Sequence, residues 1–107
     1  MRIAELSPLQ LKERLDRGDT LVLLDVREPH EWEICRIDGA RLVPMRTVPE
    51  HASTLPHDRD IVVHCRSGAR SARVAEWLHA QGFERVYNLA GGILAWIDTV
   101  DPSQRKY

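Results

Sequence analysis

Two short and almost wholly apolar segments constrain the fold of this chain more than any other feature. Residues 21–26 read Leu-Val-Leu-Leu-Asp-Val, and residues 60–64 read Asp-Ile-Val-Val-His. Apolar residues at successive positions, without the alternation of a half-exposed strand, are typical of parallel strands whose two faces are both covered. Both segments are therefore predicted to be buried strands of a sheet that lies between layers of helices.

Helical patterns alternate with these strands. Ser7 followed by Pro8 is typical of a helix start, and Gly18 supplies its end. The alternation predicts an α/β domain with a mainly parallel sheet and helices on both faces. The other predicted elements are a short helix at 28–34, a strand at 40–43, a short helix and loop at 45–58, a helix at 71–81, a strand within 83–89 and a last helix after 92.

The length of 107 residues suits one domain, predicted to span 1–107 with a polar surface segment at 98–107. A formal net charge of -1 gives no indication of a nucleic-acid or membrane partner. No apolar run approaches the roughly 18–20 residues that a membrane helix needs. The first residues lack the apolar stretch of a signal peptide, so a cytoplasmic location is predicted.

The two cysteines, Cys35 and Cys65, are too few for a disulfide scaffold, so each is interpreted as a thiol. Cys35 is predicted to pack at the end of a short helix, with a second reactive thiol as the alternative. The five histidines show no metal-ligand spacing, and we expect neither a metal nor a cofactor. Trp32, Trp77 and Trp96 occur beside aliphatic residues and are predicted to lie in the core.

Residues 65–71, Cys-Arg-Ser-Gly-Ala-Arg-Ser, are the strongest candidate for a reactive site in this sequence. They follow a predicted strand, and parallel sheets bind ligands beyond the carboxyl ends of their strands. A tight turn at Gly68 would direct N–H groups and the positive end of the next helix at Cys65. Arg66 and Arg70 would add positive charge. These surroundings favour a reactive thiolate over a cysteine that only packs, which is the usual role of a free cysteine.

The loop resembles the active-site loop, Cys-x-x-Gly-x-Arg-Ser, of single-domain rhodaneses, which are sulfurtransferases. Residues 24–28, Leu-Asp-Val-Arg-Glu, resemble the family's Asp-Val-Arg segment. Residues 89–96, Leu-Ala-Gly-Gly-Ile-Leu-Ala-Trp, resemble its Gly-Gly…Trp motif. The three segments occur in the family's order across residues 21–96, and the resemblance implies the family's small α/β domain with a parallel sheet.

By this resemblance, Cys65 attacks the outer sulfur of a small anionic donor such as thiosulfate and becomes a persulfide. The persulfide then yields its sulfur to a thiophilic acceptor, which is cyanide in the assay. A covalent intermediate implies two half-reactions and ping-pong kinetics. The predicted substrate-binding residues are Arg66, Ser67, Gly68, Ala69 and Arg70, and the predicted loop-supporting residues are Asp25, Arg27 and Ser71.

Residues 35–40, Cys-Arg-Ile-Asp-Gly-Ala, depart from the Gly-His-Ile-Pro-Gly-Ala of many family members. Together with residues 96–102 and Tyr107, this version is similar to the rhodanese domain at the C-terminus of enzymes that adenylate ubiquitin-like sulfur carriers. The similarity implies a carrier protein of that kind and its adenylating enzyme as partners, with a cysteine desulfurase as a further candidate.

Two other functions stay open at the level of sequence. A cysteine followed by a loop arginine is also similar to cysteine-dependent phosphatases and arsenate reductases. Four residues separate Cys65 from Arg70, whereas those phosphatases have five, and the shorter ring favours a persulfide over a phosphate ester. The second alternative is a non-catalytic binding module, against which the presence of Cys65 argues. His64 is predicted to end a strand rather than to act as a base.

Overall fold

The structure, a computed structural model, describes residues 3–107. Its five strands are all parallel and form one sheet in the order β1-β5-β4-β2-β3. The strands are β1 Ala4–Leu6, β2 Leu21–Asp25, β3 Arg41–Leu42, β4 Asp60–His64 and β5 Val86–Leu89. The helices are α1 Pro8–Asp16, α2 Pro29–Ile34, α3 Val48–His51, α4 Ala69–Ala80 and α5 Gly92–Thr99, with 3-10 turns at Met45–Thr47 and Ala52–Thr54.

The sheet is covered on both faces, as the two apolar segments predicted. Along β4, Ile61 and Val63 pack in one apolar cluster and Val62 packs in the other. Helices α3 and α4 contribute to the first cluster, and α1 and α5 contribute to the second. Successive strand residues point to opposite faces, so a strand between two helical layers needs apolar side chains at every position. The predicted α/β class with a parallel sheet is confirmed.

The start of α1 confirms the capping signal in the sequence. The Ser7 hydroxyl accepts the N–H of Gln10 at 3.1 Å, and the Gln10 side chain accepts the N–H of Ser7 at 2.8 Å. This reciprocal capping box satisfies two N–H groups that would otherwise lack a helical partner. Helix α4 begins at Ala69, two residues before the predicted start, because Gly68 already turns the chain into the helix.

Two expectations about local structure need correction. Strand β1 was not predicted, because its three residues are too few to show a period; it pairs in parallel with β5. Of the three tryptophans only Trp96 is buried, with 6% of its surface exposed. Trp77 packs at the edge of the α3–α4 cluster. The ring of Trp32 lies 5.1 Å from the guanidinium of Arg36 and belongs to neither cluster.

The predicted surface segment at 98–107 is exposed only in part. Its first two residues complete α5, and the Gln104 side chain hydrogen-bonds to the main chain of Arg36 in both directions. Tyr107 folds back onto the domain, where its hydroxyl contacts Arg27 and Glu31. Within residues 3–107, no helix is long and apolar enough to cross a membrane.

Candidate active site

Cys65 lies at the carboxyl end of β4, the middle strand of the sheet. The chain turns sharply after it, and Gly68 precedes α4 with a φ of +112°, which glycine adopts without a steric penalty. The turn brings the first residues of α4 back to the sulfur. Cys65 is only 1% exposed, so the protein surrounds its thiol almost completely.

Three hydrogen bonds converge on Cys65 Sγ. The N–H of Gly68 donates at 3.1 Å, and Ser71 donates from its N–H at 3.4 Å and from its hydroxyl at 3.3 Å. Burial by itself raises the pKa of the Cys65 thiol, because it disfavours the charged form. The Ser71 hydroxyl and the N–H groups of Ser71, Gly68 and Ser67 outweigh burial and hold the pKa below its ordinary value. These hydrogen bonds therefore favour the thiolate form of Cys65 over what an ordinary thiol would show.

Removing the Ser71 hydroxyl is expected to raise the pKa of Cys65, because one hydrogen bond to the thiolate is lost. In Ser71→Ala, the rise of the iodoacetamide alkylation rate with pH should move to higher pH. The rate at pH 7 should fall about threefold, the effect of one modest hydrogen bond. Ser67→Ala is the matched control, because the same group is removed from an exposed side chain. Equal pH profiles for the two variants would contradict the assigned role.

Helix α5 fixes the opposite side of the loop. N–H groups in its first turn donate to the main-chain oxygens of Cys65 and Arg66 at 2.9 and 3.1 Å. In a planar trans peptide, the carbonyl and the following N–H point in opposite directions. Holding the Arg66 carbonyl against α5 therefore turns the N–H of Ser67 toward the sulfur. Gly92 makes this approach possible, because a Cβ there would lie 2.4 Å from the Arg66 oxygen.

Asn88, on β5, is a site residue that sequence reasoning missed. Its Oδ1 lies 2.6 Å from the Ser71 hydroxyl and is a second acceptor for the single proton that this hydroxyl can also donate to Cys65 Sγ. Its Nδ2 donates to the main-chain oxygen of Gly68 at 3.2 Å. Asn88 is 5% exposed and ties Ser71 and the turn at Gly68 to the sheet. The available signal was its polarity within an otherwise apolar strand, since a buried amide needs hydrogen-bond partners.

Asp25 and Arg27 form a fully buried ion pair, with Nη2 and Oδ2 2.8 Å apart. Arg27 also donates to the main-chain oxygen of Cys35 at 2.7 Å. Asp25 lies opposite His64, the residue before Cys65, with Oδ2 3.7 Å from His64 Nε2. Burial lowers the pKa of His64, which is therefore neutral at pH 7. Its Nε2 finds no hydrogen-bond partner among residues 3–107.

The two loop arginines are each held by a partner that was not predicted from the sequence. Arg70 forms a bidentate pair with Glu31, at 2.7 and 2.8 Å. Arg66 Nε donates to the main-chain oxygen of Tyr107 at 2.8 Å, and its guanidinium lies 5.0 Å from the Tyr107 ring centre. The arginines flank the loop as expected, and their roles in binding an anion stay predictions.

The remaining predicted residues differ in how close they lie to the Cys65 sulfur. Ser67 contributes its N–H to the sulfur, while its side chain and that of Ala69 are exposed. Cys35 is 4% exposed within the α1–α5 apolar cluster, and its Sγ lies 3.8 Å from Arg27 Nη1. Both cysteines are free thiols. The position of Cys35 agrees with packing rather than with a second reactive thiol.

Comparisons with known proteins agree on one family. The profile of the rhodanese-like domain matches residues 7–99. A "Sulfurtransferase" of Allochromatium vinosum is 42% identical over 94 residues, which cover 88% of each chain. The "Probable adenylyltransferase/sulfurtransferase MoeZ" of Mycobacterium tuberculosis is 39% identical over 104 residues; the match covers 95% of this chain but only 26% of that protein. A rhodanese-like domain protein of Staphylococcus aureus superposes with a TM-score of 0.85 at 28% identity, covering 98% and 99% of the two chains.

The fold is a parallel five-stranded α/β domain in which a cysteine-containing loop follows the middle strand. This chain belongs to the rhodanese-like domain family. Its relatives at about 40% identity include proteins named as sulfurtransferases.

Proposed function

We propose that this domain is a sulfurtransferase that carries sulfane sulfur on Cys65 as a persulfide. The observation that carries the proposal is the convergence of N–H and hydroxyl donors on the buried Cys65 sulfur. Such donors stabilise an anionic sulfur before reaction, and the same donors suit an anionic persulfide after it. The sulfurtransferase names of relatives support the proposal independently.

The reaction has two balanced steps. The Cys65 thiolate attacks the outer sulfur of thiosulfate, the S–S bond breaks, and sulfite leaves with the electron pair of that bond. Cyanide or another thiophile then attacks the outer sulfur of the persulfide, and Cys65 is regenerated as a thiolate while thiocyanate leaves. Sulfite leaves in the first step and the hydrogen-bonded Cys65 thiolate leaves in the second. Both are stable anions, so neither step needs a protein acid, and this suits the neutral and buried state of His64.

Steady-state kinetics provide the test of this proposal. With thiosulfate and cyanide varied together, double-reciprocal plots should be parallel, because sulfite leaves before cyanide binds. Cys65→Ser should lose at least about 10³-fold in thiocyanate formation, because a hydroxyl replaces the thiolate nucleophile. Cys35→Ser serves as the matched control and should keep the activity within a few-fold. Intersecting plots, or equal loss in both variants, would contradict a Cys65 persulfide.

For the physiological acceptor, we propose a ubiquitin-like sulfur-carrier protein that has been activated by its adenylating enzyme. The similarity to the M. tuberculosis adenylyltransferase/sulfurtransferase over 95% of this chain supports that choice. The chain spans about a quarter of that relative. We therefore assign the adenylating activity in the relative's name to the part of that protein that this chain does not match. A cysteine desulfurase would then be a natural donor, since it also delivers sulfur as a persulfide.

A further inference from the structure

Arg70, the loop residue expected to attract an anion, is already engaged by a carboxylate. Both terminal nitrogens of Arg70 donate to Glu31, one to each oxygen, at 2.7 and 2.8 Å. Glu31 belongs to α2 and is 5% exposed, whereas a third of the Arg70 side chain is exposed. The pair is therefore a planar, two-bond contact with one partner buried, which is the strongest geometry for arginine and carboxylate.

The two other arginines near the loop also contact groups of the protein. Arg27 is paired with Asp25 inside the protein, where both side chains are fully buried. Arg66 directs its guanidinium at the main-chain oxygen and the ring of Tyr107. The groups that donate to the sulfur are N–H groups and the Ser71 hydroxyl at the first turn of α4, and among residues 3–107 no guanidinium donates to it.

Glu31 is held in its charged state by further donors. The N–H of Glu28 donates to Oε1 at 2.9 Å, and the hydroxyl of Tyr107 donates to Oε2 at 2.7 Å. The pair with Arg70, together with these bonds, overcomes burial and lowers the pKa of Glu31 to about 2. Arg70 directly precedes Ser71, whose N–H donates to Cys65 Sγ at 3.4 Å, so the pair of Arg70 and Glu31 lies beside the turn that surrounds the sulfur.

We propose that Glu31 makes the site selective for sulfane donors with one negative charge over donors with two. The inference rests on the proposed sulfur transfer to Cys65. N–H groups and a helix end offer about half a unit of positive charge, which suits a singly charged thiosulfonate or persulfide. A dianion brings a second charge that the paired Arg70 cannot neutralise fully, and the fixed carboxylate of Glu31 opposes it.

Two donors that differ by one charge test the selectivity. Thiosulfate is a dianion and methanethiosulfonate is a monoanion, and each presents an outer sulfur to the thiolate. Attack on either forms the same Cys65 persulfide, with sulfite or methanesulfinate leaving. For each variant, kcat/KM for thiosulfate is divided by kcat/KM for methanethiosulfonate. The intrinsic reactivities of the two donors cancel when this ratio is compared between variants.

Glu31→Gln removes the negative charge but keeps a side-chain oxygen for Arg70. The thiosulfate-to-methanethiosulfonate ratio should rise about fivefold, the size expected for one partly screened charge near the site. Glu33→Gln is the matched control, because it makes the same change of net charge at an exposed position of the same helix. Its ratio should stay within about twofold of the parent. An unchanged or lowered ratio in Glu31→Gln would overturn the inference, since a purely structural role would affect both donors alike.

Two further outcomes separate this inference from the proposed function. If Glu31→Gln does not fold, the inference is tested on the parent chain by measuring how kcat/KM for each donor changes with salt concentration. A thiosulfate-to-methanethiosulfonate ratio that rises with salt supports the inference, because salt screens the repulsion of the second charge, whereas a ratio that falls or stays unchanged overturns it. If neither donor places sulfur on Cys65 of the folded parent chain, the proposed function fails and the selectivity fails with it. If sulfur is loaded on Cys65 but the thiosulfate-to-methanethiosulfonate ratio is unchanged in Glu31→Gln, only the proposed selectivity is overturned.

Discussion

Arg27→Met is expected to lower the free energy of unfolding by about 3–5 kcal/mol, measured by urea denaturation. Arg27 and Asp25 are both fully buried and paired at 2.8 Å, so the substitution leaves an uncompensated carboxylate inside the protein. It also removes the donor to the main-chain oxygen of Cys35 at 2.7 Å. A buried acceptor without a partner carries a desolvation cost of its own.

Two comparisons isolate the buried pair as the cause. Arg85→Met breaks a surface pair with Asp60, in which half of the arginine is exposed, and should cost at most about 1 kcal/mol. The double variant Asp25→Asn with Arg27→Met should lose less stability than the two single changes added together, because no lone buried charge remains. A cost for Arg27→Met no larger than that for Arg85→Met would show that the pair does not support the fold.

Gly92→Ala is expected to reduce sulfur loading of Cys65 by about 100-fold or more. The added Cβ would lie 2.4 Å from the main-chain oxygen of Arg66 and 2.7 Å from that of Cys65. Backbone atoms cannot rotate away from such a clash, so the loop or α5 must move. The φ of +62° at this position adds strain for any residue with a side chain. Displacement of the loop turns its N–H donors away from the sulfur.

Gly18→Ala is the control for this change. Gly18 also has a positive φ, of 79°, but a Cβ there would meet no atom within 4 Å. That variant should lose about 1 kcal/mol of stability and keep its sulfur-loading rate. The rates are measured by quenched-flow mass spectrometry on folded protein. A Gly92→Ala protein that loads sulfur as fast as Gly18→Ala would contradict the role of the α5 contact in shaping the site.

The central strands and the site cysteine could be predicted because their signals are local. A strand between two helical layers must be apolar at successive positions, and β2 and β4 both are. Cys65 follows such a strand directly and precedes a glycine turn, so its position at the carboxyl edge needed no knowledge of distant residues. Strand β1 carries only three residues, and its pairing with β5 is set by tertiary contact rather than by its own pattern.

The partners of the loop were missed because the chain brings them in from far along the sequence. Glu31 meets Arg70 across 39 positions, Asn88 meets Ser71 across 17, and Tyr107 meets Arg66 across 41. A glutamate in a helix of six residues or a tyrosine in a polar segment gives no local sign of such a contact. The sequence motif indicates the residues of the loop. It does not indicate the residues that pair with them, because those are brought close by the order of the strands.

Intact mass after incubation with thiosulfate gives the most direct test of Cys65 as a sulfur carrier. The parent chain should gain about 32 Da, the mass of one sulfur, and lose it again on addition of cyanide. Cys65→Ala should gain nothing, although its Cys35 remains. No adduct on the folded parent chain with thiosulfate, methanethiosulfonate or a cysteine-desulfurase persulfide would contradict a sulfur-carrying role, as would an equal adduct on Cys65→Ala.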